Sequence, residues 1–428
     1  MSESEEAFEK YVLEEDNELR IITSEKDEET IEIEMVYGTS EIFGYELKKD
    51  VRYTFGQGDK FSIFTFQGCK LHVYGKLSVK PEVSKENPMI MYLQLHAGLE
   101  QMRKNADESS KNKSETESAR GPSVMVVGPT DSGKTSLCKL LVNYAVRMGR
   151  RPVFADLDVG QGHISVPGTI GATVVEEPIS VDDGFDPNSP LVYNFGHKSP
   201  GFNLPLINQY VTQMTESIRD QFKVNRKAEA SGVIINTCGW IKGQGYDHLK
   251  HIAQSFEVDL IVVLEEEKLY DNLVADMPSF VKVTWLPKST GVVYRDHPTR
   301  INAREKRVHD YFYGYRKDLQ PFTVEVKFSD IKDKMFKIGP CQIASSQSEG
   351  VYKIMDVHPS ESNVLKNHLL GLSYANSKDE LINGNIAGFI CITNVDSNKK
   401  ILTILSPQPE LPPDCLFIVS DIQYFCNN

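Results

Sequence analysis

Residues Gly128-Pro129-Thr130-Asp131-Ser132-Gly133-Lys134-Thr135 fit the pattern G-x-x-x-x-G-K-[ST] at every fixed position. The chemistry such a loop can do is phosphate binding. A backbone that wraps a phosphate with its N–H groups needs glycine wherever a side chain would collide. The apolar run 124–127 reads as a strand entering the loop, and residues 136–148 read as a helix leaving it, so the helix N-terminus adds its dipole at the same point. Lys134 supplies a point charge to the β- and γ-phosphates, and the Thr135 hydroxyl suits Mg²⁺. The candidate nucleotide-binding set is Asp131, Ser132, Gly133, Lys134, Thr135 and Ser136.

The next apolar run, 153–157, ends in Asp156-Leu157-Asp158-Val159-Gly160-Gln161-Gly162. Carboxylates at i and i+2 at the carboxyl end of a strand point the same way, and in an open parallel sheet that end faces the ligand crevice. One of them can hold Mg²⁺ or its waters; the other can take a proton from an attacking hydroxyl. The flanking glycines leave room for a close ligand. A third candidate, Asn236-Thr237-Cys238-Gly239-Trp240, again follows an apolar run; Trp240 can stack on a base or simply fill core. The fourth is basic: residues 287–317 hold Lys288, Arg295, Arg300, Arg304, Lys306, Arg307, Arg316 and Lys317 against Asp296, Glu305 and Asp310. A basic run placed after a P-loop core suits a lid that closes arginines over a γ-phosphate.

Other P-loop chemistries need features this chain lacks. No Asn-Lys-x-Asp guanine motif follows a strand, and Pro129 and Thr130 stand where a partitioning ATPase carries a second lysine. A kinase acting on a hydroxyl needs a P-loop, an acid to serve as base and a lid, and all three have candidates.

Short apolar runs at 124–127, 153–157, 233–235, 260–264 and 281–285, without polar alternation, predict parallel strands buried on both faces. Before them, residues 31–37, 61–66 and 71–74 alternate with period two between glycines, which predicts an all-β N-terminal domain. A helix over 92–104 places Leu95, Leu99 and Met102 on one face. Residues 105–120, without aliphatic or aromatic side chains, predict a flexible linker. From residue 311 a small α+β C-terminal domain is expected, with a strand at 322–328, a hairpin of 386–393 with 401–405, and a strand at 416–419. The expected architecture is therefore multidomain: an all-β domain with its linking helix (1–104), the linker, an α/β P-loop domain with a parallel sheet (121–310, lid near 287–307), and the C-terminal domain (311–428).

The net charge of −13 is not spread evenly. Residues 1–50 carry 17 Asp/Glu against 5 Lys/Arg, a balance of −12, which leaves about −1 for the other 378. Acidity therefore does not exclude a polyanion partner. The seven cysteines are widely spaced without a Cys-x-x-Cys pair, which favours free thiols. No apolar run approaches about 20 residues and the acidic start is unlike a secretory signal, so no membrane association is expected.

These motifs, in this order, resemble the polyribonucleotide 5′-hydroxyl kinase subunit family of the nuclear pre-mRNA cleavage complex II. The resemblance runs along nearly the whole chain: Asn17-Glu18-Leu19-Arg20, Glu41-Ile42-Phe43-Gly44, Gly58-Asp59-Lys60, the P-loop, Asp156 to Gly162, Ile235 to Trp240, Pro287-Lys288-Ser289 and Tyr311-Phe312-Tyr313-Gly314. It implies ATP and Mg²⁺ as cofactors, with the nucleotide base contacted by Glu18 and Lys60 from the N-terminal domain. It implies Asp158 as general base, Asp156 with Thr135 at the metal, Gln161 and Trp240 at the RNA, and Arg295 and Arg300 with Lys134 at the transferring phosphoryl group. The implied activity is ATP-dependent phosphorylation of the 5′-hydroxyl end of RNA in tRNA splicing and mRNA 3′-end processing. The implied location is the nucleus, and the implied partners are RNA with a free 5′-hydroxyl, a cleavage/polyadenylation factor subunit and the tRNA-splicing endonuclease complex. The alternative is a non-catalytic, ATP-bound scaffold of the 3′-end machinery.

Overall fold

The computed structural model describes residues 7–24, 30–77, 79–112, 120–181, 184–185, 190–340, 352–359 and 365–425. The alternating segments form Ile31–Gly38, Lys60–Phe64 and Cys69–Tyr74. They belong to two facing sheets. One orders Phe8–Leu13, Cys69–Tyr74, Ile31–Gly38 and Arg52–Phe55; the other orders Tyr45–Glu46, Glu41–Ile42, Lys60–Phe64, Glu18–Ile22 and Glu82–Ser84. The inward positions Leu19, Ile33, Ile63 and Leu71 are fully buried between them, as period-two alternation requires of a sandwich.

The helix that follows runs Met89–Asn112, longer than expected. Its buried stripe is Tyr92, His96, Leu99, Arg103 and Ala106, which keeps helical spacing but uses polar side chains that a hydrophobic pattern cannot register. Arg103 donates from Nε to Ser231 O (2.9 Å), and Arg150 bonds Glu100 (2.9 Å) and Asp107 (2.6 Å). These partners carry the helix through 105–112, the first half of the expected linker; residues 113–119 lie outside the described set.

The central sheet has seven strands in the order Leu191–Asn194, Thr169–Val174, Val153–Asp156, Val233–Asn236, Ser123–Val127, Leu260–Leu264 and Lys282–Leu286. The last five are parallel, as their unbroken apolar runs predict; Lys282–Leu286, however, is the sheet edge and is not buried on both faces as expected, because no further strand among the described residues covers it. The first two are antiparallel additions, so the sheet is mixed. Ser123–Val127, carrying the loop, sits inside the sheet and is buried on both faces.

The C-terminal domain is built on a second seven-stranded sheet, with the expected hairpin of Ile386–Asp396 and Ile401–Ser406. One apolar core is continuous from the central sheet into this domain: Val308, Phe312, Phe389, Ile418 and Ile422 all belong to it. Polar ties reinforce the junction, with Asn194 Nδ2 donating to Ile418 O (3.2 Å) and Asp421 N to Gly196 O (2.8 Å).

The N-terminal sandwich grips the helix Lys134–Arg147 that follows the P-loop. Glu41 accepts from the Tyr144 hydroxyl and from Arg147 Nη1 (2.8 Å), and Asn143 Nδ2 donates to Phe43 O (2.9 Å). Gly44 lies against this helix at φ +78°, where a Cβ would come within 3.0 Å of both Asn143 Cβ and Leu140 O. A left-handed backbone pressed onto a neighbouring helix requires glycine. Gly44→Ala is therefore expected to lower stability by about 1–3 kcal/mol, read as a shift in the denaturant midpoint; an unchanged midpoint would mean that this contact does not hold the domains together.

Candidate active site

The strand Ser123–Val127 delivers the loop to a cleft of about 1740 Å³ that all three domains line. Gly133 takes φ +89° at the start of the helix, and a Cβ on Gly128 would lie 2.7 Å from Leu264 O, so both glycines are obligatory. Ser132 Oγ donates to Pro129 O (2.9 Å). Lys134 is buried and donates to Gly128 O (3.0 Å) and Pro129 O (2.7 Å). Burial pushes its ammonium pKa down, against the opposing charge of Asp158.

Behind the loop stands a buried polar relay. The Asn236 side chain donates to Asp156 Oδ1 (2.9 Å), and its Oδ1 accepts from the Thr135 hydroxyl at 3.5 Å. Asp156 Oδ2 accepts from His163 N (2.8 Å) and faces His163 Nδ1 at 3.2 Å, while Asp158 N approaches Oδ1 at 3.3 Å. Burial raises the Asp156 carboxyl, but His163 and Asn236 outweigh it and the net shift is downward. Asp158, two residues on, moves the other way. Burial raises its pKa, the neighbouring Asp156 charge adds to this, and His163, Lys134 and Gly160 N–H only partly offset it. Two carboxylates of one motif thus separate into a fixed anion and a group better poised to accept a proton.

The lid segment begins after Lys282–Leu286 and becomes the helix His297–Tyr313. Asp296 caps that helix, accepting from Thr299 N (2.9 Å), and Val308 and Phe312 root its far end in the core shared with the C-terminal domain. The cap and the root aim Arg295 and Arg300 at the loop. There both meet Asp131: Arg295 N and Nε donate to its carboxylate at 3.0 and 3.1 Å, and Arg300 Nη2 at 2.5 Å.

From the N-terminal domain, Glu18 and Lys60 line the same cleft. Glu18 accepts from Arg20 Nε (2.6 Å); burial raises its pKa and Arg20 opposes the rise. Arg20 also donates to Thr290 Oγ1 (2.6 Å), and Lys306 on the lid helix donates to Asp59 Oδ1 (2.6 Å). The sandwich therefore contacts the lid at both of its ends.

Three family models match consecutive parts of the chain. One described as the N-terminal beta-sandwich domain of polyadenylation factor covers residues 12–106. One for the mRNA cleavage and polyadenylation factor CLP1 P-loop covers 128–314, and one for the pre-mRNA cleavage complex II protein Clp1 covers 319–425. The Protein CLP1 homolog of Anopheles gambiae is 46% identical over 422 residues, covering 97% of this chain and 96% of its own; that of Drosophila mojavensis is 45% identical over the full length of both.

The chain belongs to the Clp1 family.

Two solved structures share the fold. A wild-type Clp1p–Pcf11p complex superposes with a TM-score of 0.82 at 24% identity, over 98% of this chain and 99% of that one. A second, described by its Clp1p–Pcf11p interface and by ATP loss in a point mutant, gives 0.83 at 24%, over 99% and 100%.

Of the residues expected from sequence, Glu18, Lys60, Ser132, Gly133, Lys134, Thr135, Ser136, Asp158, Gln161, Arg295 and Arg300 line one cleft of this Clp1-family chain. Three others stand differently. Asp131 lines the cleft too, but its carboxylate is engaged by the lid arginines, because the backbone there turns left-handed (φ +57°). Four nitrogen groups surround the two oxygens of Asp156, which leaves little capacity for a direct metal bond. Trp240 is half-buried with its ring against Gly201 and Gly245, and Gly239 forms the cleft wall beside it. Arg20, His163 and Thr290 have no role assigned by the sequence. Arg20 lies in the Asn17–Arg20 motif and His163 one residue beyond the Asp156–Gly162 motif, but nothing local pairs Arg20 with Thr290, 270 positions away.

A nucleotide-binding P-loop follows from the family and the geometry together. Lys134→Ala is expected to weaken nucleotide affinity at least about tenfold, since it removes the one ammonium at the loop. Titration with a fluorescent ATP analogue reads this, and wild-type affinity in the variant would take Lys134 out of the phosphate site.

Proposed function

We propose that this chain is an ATP-dependent polynucleotide kinase that phosphorylates the 5′-hydroxyl end of RNA, and that it acts in tRNA splicing and mRNA 3′-end processing in the nucleus. The observation that carries the reading is the meeting of Lys134, the Asp158 carboxylate and the arginines Arg295 and Arg300 in one cleft. In phosphoryl transfer the protein has little covalent chemistry to do, and positioned charge provides most of the acceleration.

In this reading the P-loop backbone and Lys134 bind the triphosphate, with Glu18 and Lys60 at the base. Asp158 orients the RNA 5′-hydroxyl and accepts its proton as the new P–O bond forms and the bond to the leaving ADP breaks. Arg295 and Arg300 meet the charge on the transferring group. The oxygen donors near the loop suit Mg²⁺, which prefers oxygen and keeps several waters. Thr135 would hold it directly and Asp156 through water; bound there, it would neutralise charge on the β- and γ-oxygens. Gln161 borders the acceptor side. Trp240 serves as a base platform once the Pro200–Phe202 turn that carries Gly201 gives way. The family models support cleavage/polyadenylation factors as partners, and the two Clp1p structures name Pcf11p as such a partner of those proteins; the tRNA-splicing endonuclease completes the proposed set.

The alternative, an ATP-bound scaffold that does not turn over, uses the same nucleotide contacts and differs only in whether the γ-phosphate is passed on.

Transfer of γ-labelled phosphate from ATP to a 5′-hydroxyl RNA oligonucleotide tests the proposal. The acid limb of the pH–rate profile is expected above the usual carboxylate range. Rate is lost as pH falls, because the protonated Asp158 cannot take the hydroxyl proton. Asp158→Asn is expected to lower kcat at least about a hundredfold, to abolish that limb and to leave ATP bound. Near-wild-type transfer by Asp158→Asn would remove Asp158 as the base.

A further inference from the structure

The phosphate-loop pattern leaves its fourth position open, and here it holds Asp131. A carboxylate at that position is electrostatically adverse, because the same loop must receive a triphosphate. Its side chain is nonetheless only 4% exposed. The backbone explains where it goes: at φ +57° the residue is left-handed, a conformation Asp and Asn tolerate better than other non-glycine residues. The turn sends the carboxylate out of the loop and toward the lid.

There both oxygens are used. Oδ1 accepts from Arg295 Nε (3.1 Å), and Oδ2 accepts from Arg295 N (3.0 Å) and from Arg300 Nη2 (2.5 Å). One carboxylate thus binds one backbone amide and two guanidinium groups five residues apart. Charge-assisted bonds of this kind are stronger and more directional than neutral ones. Burial alone would raise the Asp131 pKa; Arg295, through its N–H and its guanidinium, and Arg300 reverse that and hold it below the usual range. Neither arginine has a second carboxylate partner among the described residues, so Asp131 fixes where the two charges sit.

We propose that Asp131 is the docking group of the lid: a loop carboxylate that positions Arg295 and Arg300 beside the phosphate site before the nucleotide arrives. The proposal rests on the kinase reading for its catalytic consequence but not for the docking itself. Asp131 is a positioning residue; it acts through the arginines and need not touch the substrate. When a triphosphate binds, its γ-oxygens share the guanidinium groups, which are already within reach, so little reorganisation accompanies closure. The arrangement also converts an adverse charge in the loop into the feature that recruits compensating charge to it.

Asp131→Asn isolates the charge, since Asn keeps the size and accepts the left-handed backbone. Asp131→Gly keeps the backbone and removes every contact, and guards against misfolding of the first variant. Two readouts are needed. The first is amide hydrogen exchange over residues 290–304 without nucleotide, followed by mass spectrometry; it requires no catalysis and reads the Arg295 N–H directly. Both variants are expected to exchange at least about tenfold faster there, with the P-loop helix unchanged. The second is steady-state transfer to 5′-hydroxyl RNA: kcat is expected to fall at least about tenfold, with ATP affinity within about threefold of wild type. Asp131→Asn combined with Arg300→Gln should cost no more than the larger single change.

Unchanged exchange across the lid would overturn the docking, whatever the kinetics. Faster exchange with an unchanged or higher kcat would overturn the positioning role, as would a loss confined to ATP affinity. Absence of transfer by the wild type would count against the kinase reading alone; the exchange measurement would still decide whether Asp131 holds the lid.

Discussion

A triphosphate brings several negative charges to one point, and a site that excludes water must meet them with groups already in place. Much of this molecule is arranged around that requirement. The loop entering Lys134–Arg147 offers backbone N–H groups and one buried ammonium. The central sheet places Asp156 and Asp158 at the same edge, where two more negative charges would be adverse if left alone. Each is given an environment of its own: Asp156 is held by Asn236 and His163, whereas Asp158 accepts the Gly160 N–H (3.0 Å) and feels the charges of His163 and Lys134, which only partly offset its burial beside Asp156. The unequal treatment of the pair is what allows one to be a fixed anion and the other a proton acceptor.

The surrounding domains serve the same end. The sandwich is clamped to the P-loop helix by Glu41, Tyr144 and Arg147, which fixes Glu18 and Lys60 relative to the loop. Through Arg20 and Asp59 it also touches the lid. The C-terminal domain shares a core with the far end of the lid helix. With Asp131 of the phosphate loop, the lid is therefore anchored at four places contributed by three parts of the chain, and a change at any domain junction has a direct route to the arginines.

How much of this the sequence disclosed depended on whether the signal was local. The P-loop, the Asp-x-Asp strand end and the five parallel strands are contiguous patterns, and each lies where it was expected. The strands Thr169–Val174 and Leu191–Asn194 were missed because they extend the sheet antiparallel from within loop-rich sequence. Helix Met89–Asn112 outruns its apolar spacing because, past Met102, the buried Arg103 and the Asp107–Arg150 ion pair tie it down. Position in the motif alone places Asp131 in the nucleotide-binding set. That its carboxylate turns to the lid follows from one dihedral angle and from partners more than 160 positions away. Glu18 and Lys60 were reached by family resemblance alone.

The account stands on the claim that the γ-phosphate held in this cleft is passed to a 5′-hydroxyl. A single-turnover experiment addresses it most directly: load the protein with γ-labelled ATP, remove free nucleotide, add 5′-hydroxyl RNA in excess and quench at intervals. The label is predicted to leave ATP and appear on the RNA 5′ end, with no release as inorganic phosphate. Label that stays in intact bound ATP, whatever RNA is added, would contradict the account and leave the nucleotide a structural part of an assembly subunit.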